Sequence, residues 1–165
     1  ASLHFSAEDI TKIRARGVEV VPLCLHVGLG TFLPIHTDNL DEHVMHAEWV
    51  SISENTLKKI KTAQENGGRV WALGTTVLRA LESYGSGKLE KTNDGVEGHT
   101  DLFIKPGYEF KIVDVLMTNF HQPKSTLLAL VSAFAGLENV KRAYEWAIHR
   151  EFRLFSYGDL TVWIR

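Results

Sequence analysis

The sequence has a single cysteine and no long apolar run. Because Cys24 is the only cysteine among 165 residues, an internal disulfide is excluded and a reducing compartment is favoured. No apolar stretch approaches the roughly 18 residues that a membrane helix requires, and no signal peptide is evident. We therefore expect a cytoplasmic protein that has no membrane partner.

An excess of charge of one sign is also missing. Eighteen basic residues against twenty acidic ones give a net charge of -2, which argues against a chain that binds nucleic acid through its overall charge. Apolar residues make up 44% and charged residues 23%, both typical of globular proteins. The length fits one domain, and we expect residues 1–165 to form a single α/β domain.

Helices and strands alternate in the predicted order. Helices are predicted after Ser6, which forms a capping box with Asp9, after Ser53 and after Gly74, with two more following residue 125. Strands are predicted at 18–27, 49–52, 69–73, 102–104 and 110–117. This alternation predicts an α/β fold with a mixed, largely parallel sheet flanked by helices. Cys24 should be buried in the first strand, and the polar, glycine-rich stretch 85–100 should be a mobile loop.

The segment from Thr118 to Leu128 concentrates polar side chains immediately before a very apolar helix. Ser125 or Thr126 should cap that helix, so its positive end would face whatever Asn119 and His121 face. This arrangement is typical of a site for an anion or a polar ligand. A capped buried helix with a hydrogen-bonded histidine explains the pattern equally well.

A second candidate site is the turn formed by Gly74, Thr75 and Thr76 between a strand and a helix. Ligands of open α/β sheets collect at the carboxyl ends of strands, where helices offer free N–H groups. The hydroxyl groups could bind a carboxylate or a phosphate, although plain capping is the alternative. Arg79 and Glu82 follow at i, i+3 spacing, which also fits a solvated ion pair.

Three further groups of residues are candidates. His26, Gly28, Gly30 and Thr31 end a strand where a ligand can approach the backbone, although a simple turn fits the pattern too. Glu42, His43, His46 and Glu48 could act as acid–base groups, and the two histidines could share a helix face. A surface loop is the alternative, and their spacing does not predict a metal site. Tyr157 and Asp159 could contact a base or an amine, or form a packed C-terminal turn.

Nine stretches of the chain resemble one enzyme family, in the order in which the family has them. They are Leu-His-Phe at 3–5, Leu-His-Val-Gly-Leu-Gly-Thr-Phe at 25–32, Glu-His-Val-Met-His-Ala-Glu at 42–48, Gly-Thr-Thr-Val-Leu-Arg-Ala-Leu-Glu at 74–82, Thr-Asp-Leu-Phe-Ile at 100–104, Pro-Gly-Tyr at 106–108, Thr-Asn-Phe-His-Gln-Pro-Lys-Ser-Thr-Leu-Leu at 118–128, Val-Ser-Ala-Phe-Ala-Gly at 131–136 and Phe-Ser-Tyr-Gly-Asp at 155–159. Together they resemble the C-terminal half of the S-adenosylmethionine:tRNA ribosyltransferase-isomerases of queuosine biosynthesis. The resemblance implies that a preceding half, which carries a β-barrel and the opening strands of the α/β part, is missing here.

The resemblance also implies a reaction and a set of partners. Enzymes of this family transfer the ribosyl part of S-adenosylmethionine to 7-aminomethyl-7-deazaguanine at the wobble position of tRNA and rearrange it to give epoxyqueuosine. S-adenosylmethionine would be a substrate, and no bound cofactor or metal is implied.

Hypothetical roles follow for the matching residues. His43, His46 or His121 would transfer protons; Thr75, Thr76 and Arg79 would hold the methionine carboxylate; Asn119 and Asp159 would orient the ribose or the base. His26, Gly28, Gly30, Thr31, Gly74, Ser125 and Tyr157 would also contact the substrates.

Two other functions stay open at this point. The chain could be a non-catalytic fragment or binding module that needs the other half for chemistry. A metal-dependent hydrolase built around His43 and His46 is the third hypothesis.

Overall fold

The computed structural model describes residues 4–28, 35, 39–155 and 158–165. Five α-helices lie in this part of the chain, namely α1 (Ala7–Ala15), α2 (Glu54–Glu65), α3 (Thr75–Gly85), α4 (Thr126–Ala135) and α5 (Leu137–Ile148). Seven strands accompany them, namely β1 (Cys24–His26), β2 (Glu48–Ser53), β3 (Trp71–Leu73), β4 (Glu90–Thr92), β5 (Gly95–Thr100), β6 (Val115–Asn119) and β7 (Leu160–Ile164). A 3-10 turn lies at Leu40–Glu42.

The strands form two sheets. The larger sheet has the order β1-β2-β5-β4, and every neighbouring pair in it is antiparallel. In the smaller sheet, β6 lies between β3, to which it is parallel, and β7, to which it is antiparallel. A mixed α/β fold is therefore confirmed, whereas the expectation of a largely parallel sheet is wrong. The reason is connectivity, since hairpin connections such as β4–β5 produce antiparallel neighbours.

Both sheets and four of the helices contribute to one hydrophobic core. Val50 and Ile52 of β2 are fully buried, and so are Leu78 of α3 and Leu116 of β6. Helix α4 adds Leu130 and α5 adds Val140, while Ile60 comes from α2. Helix α1 has no buried residue, and the predicted capping box of Ser6 and Asp9 stabilises its N-terminal end. The same core thus fixes the larger sheet, the smaller sheet and the start of α3 relative to one another.

Residues 85–100 are not the loop that their composition predicts. They hold the end of α3 and the hairpin of β4 and β5, and β5 pairs with β2 over six residues. Val96 of β5 is buried in the core, which favours a strand over a solvated loop. Gly95 has φ +149°, and a Cβ there would collide with the carbonyl oxygen of Ile52. Gly95 therefore permits the close pairing of β5 with β2.

The strands predicted at 18–27, 102–104 and 110–117 are wrong in extent. In the range 18–27, only Cys24–His26 is a strand. The prediction that Cys24 is buried is also wrong: Cys24 is exposed, because β1 is an edge strand whose alternate residues face solvent. Residues 102–104 form no strand. In the range 110–117, only the part from Val115 onward is a strand. The N–H groups of residues 111–113 donate to the carboxylate of Glu82, so they cannot pair with a neighbouring strand.

Among the residues that the structure describes, no helix combines the length and the apolar character needed to cross a membrane.

Candidate functional site

The carboxyl ends of β3 and β6 meet at one edge of the smaller sheet because these two strands are parallel neighbours. Gly74 follows β3 and donates its backbone N–H to the carbonyl oxygen of Met117 in β6, at 2.8 Å. Its φ of +104° turns the chain directly from the strand into α3. Gly74 is the N-cap residue of α3 and has no side chain, so it cannot accept a hydrogen bond from the first N–H groups of the helix. Thr75 is buried and Thr76 is half-buried at this point.

The segment that leaves β6 lies beside this helix start. Asn119 ends β6, and Ser125 caps α4 as predicted, because its hydroxyl oxygen accepts from the N–H of Leu128 at 3.1 Å. The same hydroxyl donates to the carbonyl oxygen of Gln122 at 2.8 Å. Ser125 is thus a capping residue with both kinds of hydrogen bond in use. Lys124 adopts the left-handed conformation, with φ 54°, at the bend that precedes the cap.

His121 is held firmly between β6 and α5. Its Nε2 lies 2.9 Å from the hydroxyl oxygen of Thr118, and its backbone N–H donates to the hydroxyl of Tyr144 at 2.9 Å. Burial lowers the pKa of His121 to about 4. The imidazole is therefore neutral at neutral pH, where it can donate or accept a hydrogen bond but does not carry the proton of an imidazolium acid.

Asp159 reaches the same edge through its backbone. Its carbonyl oxygen accepts from the side-chain amide of Asn119 at 3.4 Å, next to the pairing of Asn119 with Leu160. Its carboxylate accepts from the N–H of Arg153 at 2.6 Å, and this hydrogen bond is the main reason that its pKa is lowered. The carboxylate therefore closes the turn that contains Arg153, while the backbone of Asp159 positions Asn119.

A buried ion pair connects α3 to the larger sheet. Nη1 of Arg79 in α3 donates to Oε2 of Glu48 in β2 at 2.5 Å, and both side chains are almost fully buried. The other carboxylate oxygen of Glu48 accepts from the N–H of Gly28 at 2.8 Å. Nε of Arg79 donates to the carbonyl oxygen of Leu102 at 3.2 Å. The pair thus joins β2, α3 and the segment that follows β1.

Glu82 of α3 is a second buried carboxylate. It accepts from the backbone N–H groups of Lys111, Ile112 and Val113 at 2.8 to 3.0 Å and from the hydroxyl of Tyr108 at 3.2 Å. The side chain is completely buried. Glu82 therefore fixes the segment that leads into β6. A solvated ion pair between Arg79 and Glu82 is wrong, because each side chain has its partners elsewhere in the core.

The structure brings together some of the predicted residues and separates others. Gly74, Thr75, Thr76, Asn119, His121 and Asp159 lie around the edge formed by β3, β6 and β7, and Ser125 follows along the chain as the cap of α4. Gly28 is connected to α3 through Glu48 and Arg79. Gly30, Thr31 and Tyr157 fall outside the described residues.

His26, His43 and His46 lie away from that edge. His26 is exposed on β1, with its ring against Trp49. His43 packs edge-on to Phe103, and His46 is exposed. The prediction that His43 and His46 share a helix face is wrong, because the chain is already extended at His43, directly after the 3-10 turn. In the ranges that the structure describes, no three histidine, cysteine or acidic side chains are arranged to hold a metal ion.

The sequence does not predict the roles of Glu48 and Glu82. One signal exists for Glu48, since it alternates with Val50 and Ile52 and therefore belongs to the buried face of β2. A charged residue on a buried face requires a buried partner. Glu82 gives no comparable signal, because its partners are backbone groups of a segment almost thirty residues away.

Comparison with known proteins agrees with this arrangement of motifs. Residues 1–163 match the family described as "Queuosine biosynthesis protein". The chain belongs to this family.

Two curated relatives in the family are each 54% identical across 96% of this chain, one from Natranaerobius thermophilus and one from Dichelobacter nodosus. Both carry the name S-adenosylmethionine:tRNA ribosyltransferase-isomerase. A solved structure of an S-adenosylmethionine tRNA ribosyltransferase from Thermotoga maritima superposes with a TM-score of 0.78 at 38% identity, covering 99% of this chain. The chain spans only 44% to 46% of the length of the two relatives and 52% of the solved chain.

Proposed function

We propose that this chain supplies the α/β portion of an enzyme that transfers the ribosyl part of S-adenosylmethionine to a 7-aminomethyl-7-deazaguanine base in tRNA. The observation that supports this proposal most strongly is the edge at which β3 and β6 end side by side, because it places family motifs distant in sequence around one helix start. The names of the relatives supply the reaction class and the two substrates. The product expected from the family's chemistry is epoxyqueuosine.

The reaction requires specific groups from the site. A base must remove a proton beside the sulfonium, where the positive sulfur acidifies the C5′–H bond. Adenine must receive a proton as it leaves, since a purine anion is a poor leaving group. The methionine carboxylate needs hydrogen-bond donors, and the base amine that forms the new bond needs an acceptor.

The hydrogen-bonding requirements have candidates near the edge, and the proton transfers do not. The first N–H groups of α3, together with the hydroxyls of Thr75 and Thr76, suit the methionine carboxylate because the positive end of the helix dipole lies there. Asn119 suits a ribose hydroxyl or the base amine. His121, being neutral, suits a hydrogen bond to substrate. In this account Arg79 acts through Glu48, whereas His43 and His46 are the remaining candidates for proton transfer.

A second function from a different class is a binding module that performs no chemistry by itself. Partial coverage of the relatives is compatible with it, because these residues match 44% to 46% of each relative and a catalytic site completed by the remainder would leave this portion to bind only. In that case the site would bind S-adenosylmethionine or RNA, and turnover would require the remaining half of the enzyme.

Adenine release distinguishes these functions. We expect free adenine, measured by chromatography, when S-adenosylmethionine is mixed with tRNA carrying the aminomethyl base and with this chain plus the separately expressed N-terminal half of a relative. Matched tRNA with guanine at the wobble position is the control and should give none. Release by the chain alone would reject the binding-module function. If both halves together release nothing while the intact relative is active, the proposed role of this chain is contradicted.

A further inference from the structure

Three ring side chains form a row across the larger sheet. His26 of β1 pairs with Trp49 of β2, and Trp49 pairs with His99 of β5. Directly paired residues of neighbouring strands project from the same face, and the strands lie about 4.8 Å apart. The rings of His26 and Trp49 are 4.8 Å apart between centroids. His26 and His99 are exposed and Trp49 is half-buried, so the row is open to solvent.

The hydrophobic core does not account for this row. Val50, Ile52 and Val96 alternate with the row residues along the strands, project from the opposite face and fill the core. On the row's own face the neighbouring positions are Cys24, Ser51, Glu90 and Glu97, of which the last three are polar. An open sheet face that carries rings is the surface on which RNA-binding domains stack unpaired bases.

We propose that His26, Trp49 and His99 form a stacking platform for an unpaired base of the RNA substrate. This proposal rests on the proposed function, which supplies RNA as a partner. The position of the row supports it, since His26 lies two residues before Gly28, which Glu48 and Arg79 connect to α3 and the edge site. A flat, open face suits a macromolecule, whereas a small molecule such as S-adenosylmethionine is normally bound in a concave pocket. Because Glu97 is acidic, bases and not phosphates should contact this face.

Direct binding to the 165-residue chain tests the platform. The probes are an RNA hairpin with an unpaired loop, a fully paired RNA of equal length, and S-adenosylmethionine alone, each titrated into the chain and measured by isothermal titration calorimetry. We expect the hairpin to bind with a modest salt dependence. Trp49→Ala should weaken hairpin binding by about 5- to 100-fold, the range for loss of one stacked base. His99→Ala should weaken it less, and Trp49→Phe should retain most of the affinity.

Trp71→Ala is the matched control, because Trp71 is also exposed but lies on the smaller sheet. Circular dichroism of each variant establishes that it is folded, and His99→Ala tests the platform if Trp49→Ala does not fold. Hairpin binding that is absent, or is unchanged by Trp49→Ala and His99→Ala in folded protein, overturns the proposal. Equal binding of the paired RNA, or a weakening by Trp49→Ala of S-adenosylmethionine binding only, also overturns it. Adenine release is measured separately, so failure of the platform and failure of the proposed function are distinguishable.

Discussion

Replacing Arg79 by methionine is expected to lower the free energy of unfolding by about 3 to 5 kcal/mol. The change removes the guanidinium that faces Glu48 at 2.5 Å and leaves a carboxylate buried in the core without its cationic partner. Breaking one side of a buried ion pair is costly because the remaining charge has lost its solvation and its counter-charge. The measurement is urea unfolding of both proteins at neutral pH.

Lys59→Met is the matched control for this prediction. Lys59 also pairs with a glutamate distant in sequence, Glu19, but Glu19 is exposed and Lys59 is only half-buried, so solvent reaches the pair. Solvent screens such a pair, so its loss should cost about 1 kcal/mol or less. The double variant Glu48→Gln with Arg79→Met should be more stable than Arg79→Met alone, since it also removes the buried negative charge that Arg79 balances. Equal effects of Arg79→Met and Lys59→Met would contradict the account of the buried pair.

Stability is expected to fall by about 3 kcal/mol between pH 6.5 and pH 4 through His121 alone. Burial lowers the pKa of this histidine from 6.5 to about 4 in the folded protein, so between these values the unfolded chain binds more protons. Folding is therefore opposed increasingly as the pH falls through this window. Above about pH 7.5 the histidine is neutral in both states and contributes no pH dependence.

The measurement for His121 is the difference in unfolding free energy between the wild-type chain and His121→Gln across that window. Other groups that titrate in the window largely cancel in this difference. His149→Gln is the control, because His149 is exposed at the end of α5. We expect the wild-type chain and His149→Gln to lose stability in parallel as the pH falls, and His121→Gln to lose less. An identical pH dependence for His121→Gln would show that the imidazole is not buried as described.

Helix starts were predictable from the sequence because they depend on neighbouring residues. Ser6 with Asp9, Ser53 and Ser125 each cap the helix that follows, as the local pattern predicts. The turn from β3 into α3 was predictable for the same reason, since a glycine followed by threonines at a strand end gives both the bend and the helix start.

Strand lengths and buried charges were not predictable because they depend on partners far along the chain. Glu82 binds the N–H groups of residues 111–113 and so shortens the predicted strand to Val115–Asn119. Arg79 pairs with Glu48, 31 positions away, and not with its helical neighbour Glu82. Residues 85–100 contain a hairpin because β5 pairs with β2. The composition of this stretch does not indicate that pairing. The sequence identified the motifs of the edge site, whereas the supporting carboxylates required the fold.

The location of the S-adenosylmethionine site is the central claim, and backbone amide NMR tests it most directly. The amides of the chain would be followed during titration with S-adenosylmethionine, with adenosine and methionine titrated separately as controls. We expect the largest shifts at Gly74, Thr75 and Thr76 and in the segment from Asn119 to Ser125, with methionine alone affecting the start of α3. Shifts confined to other regions, such as residues 43–47, or no shifts at saturating concentrations, would contradict a site at the shared edge of β3 and β6.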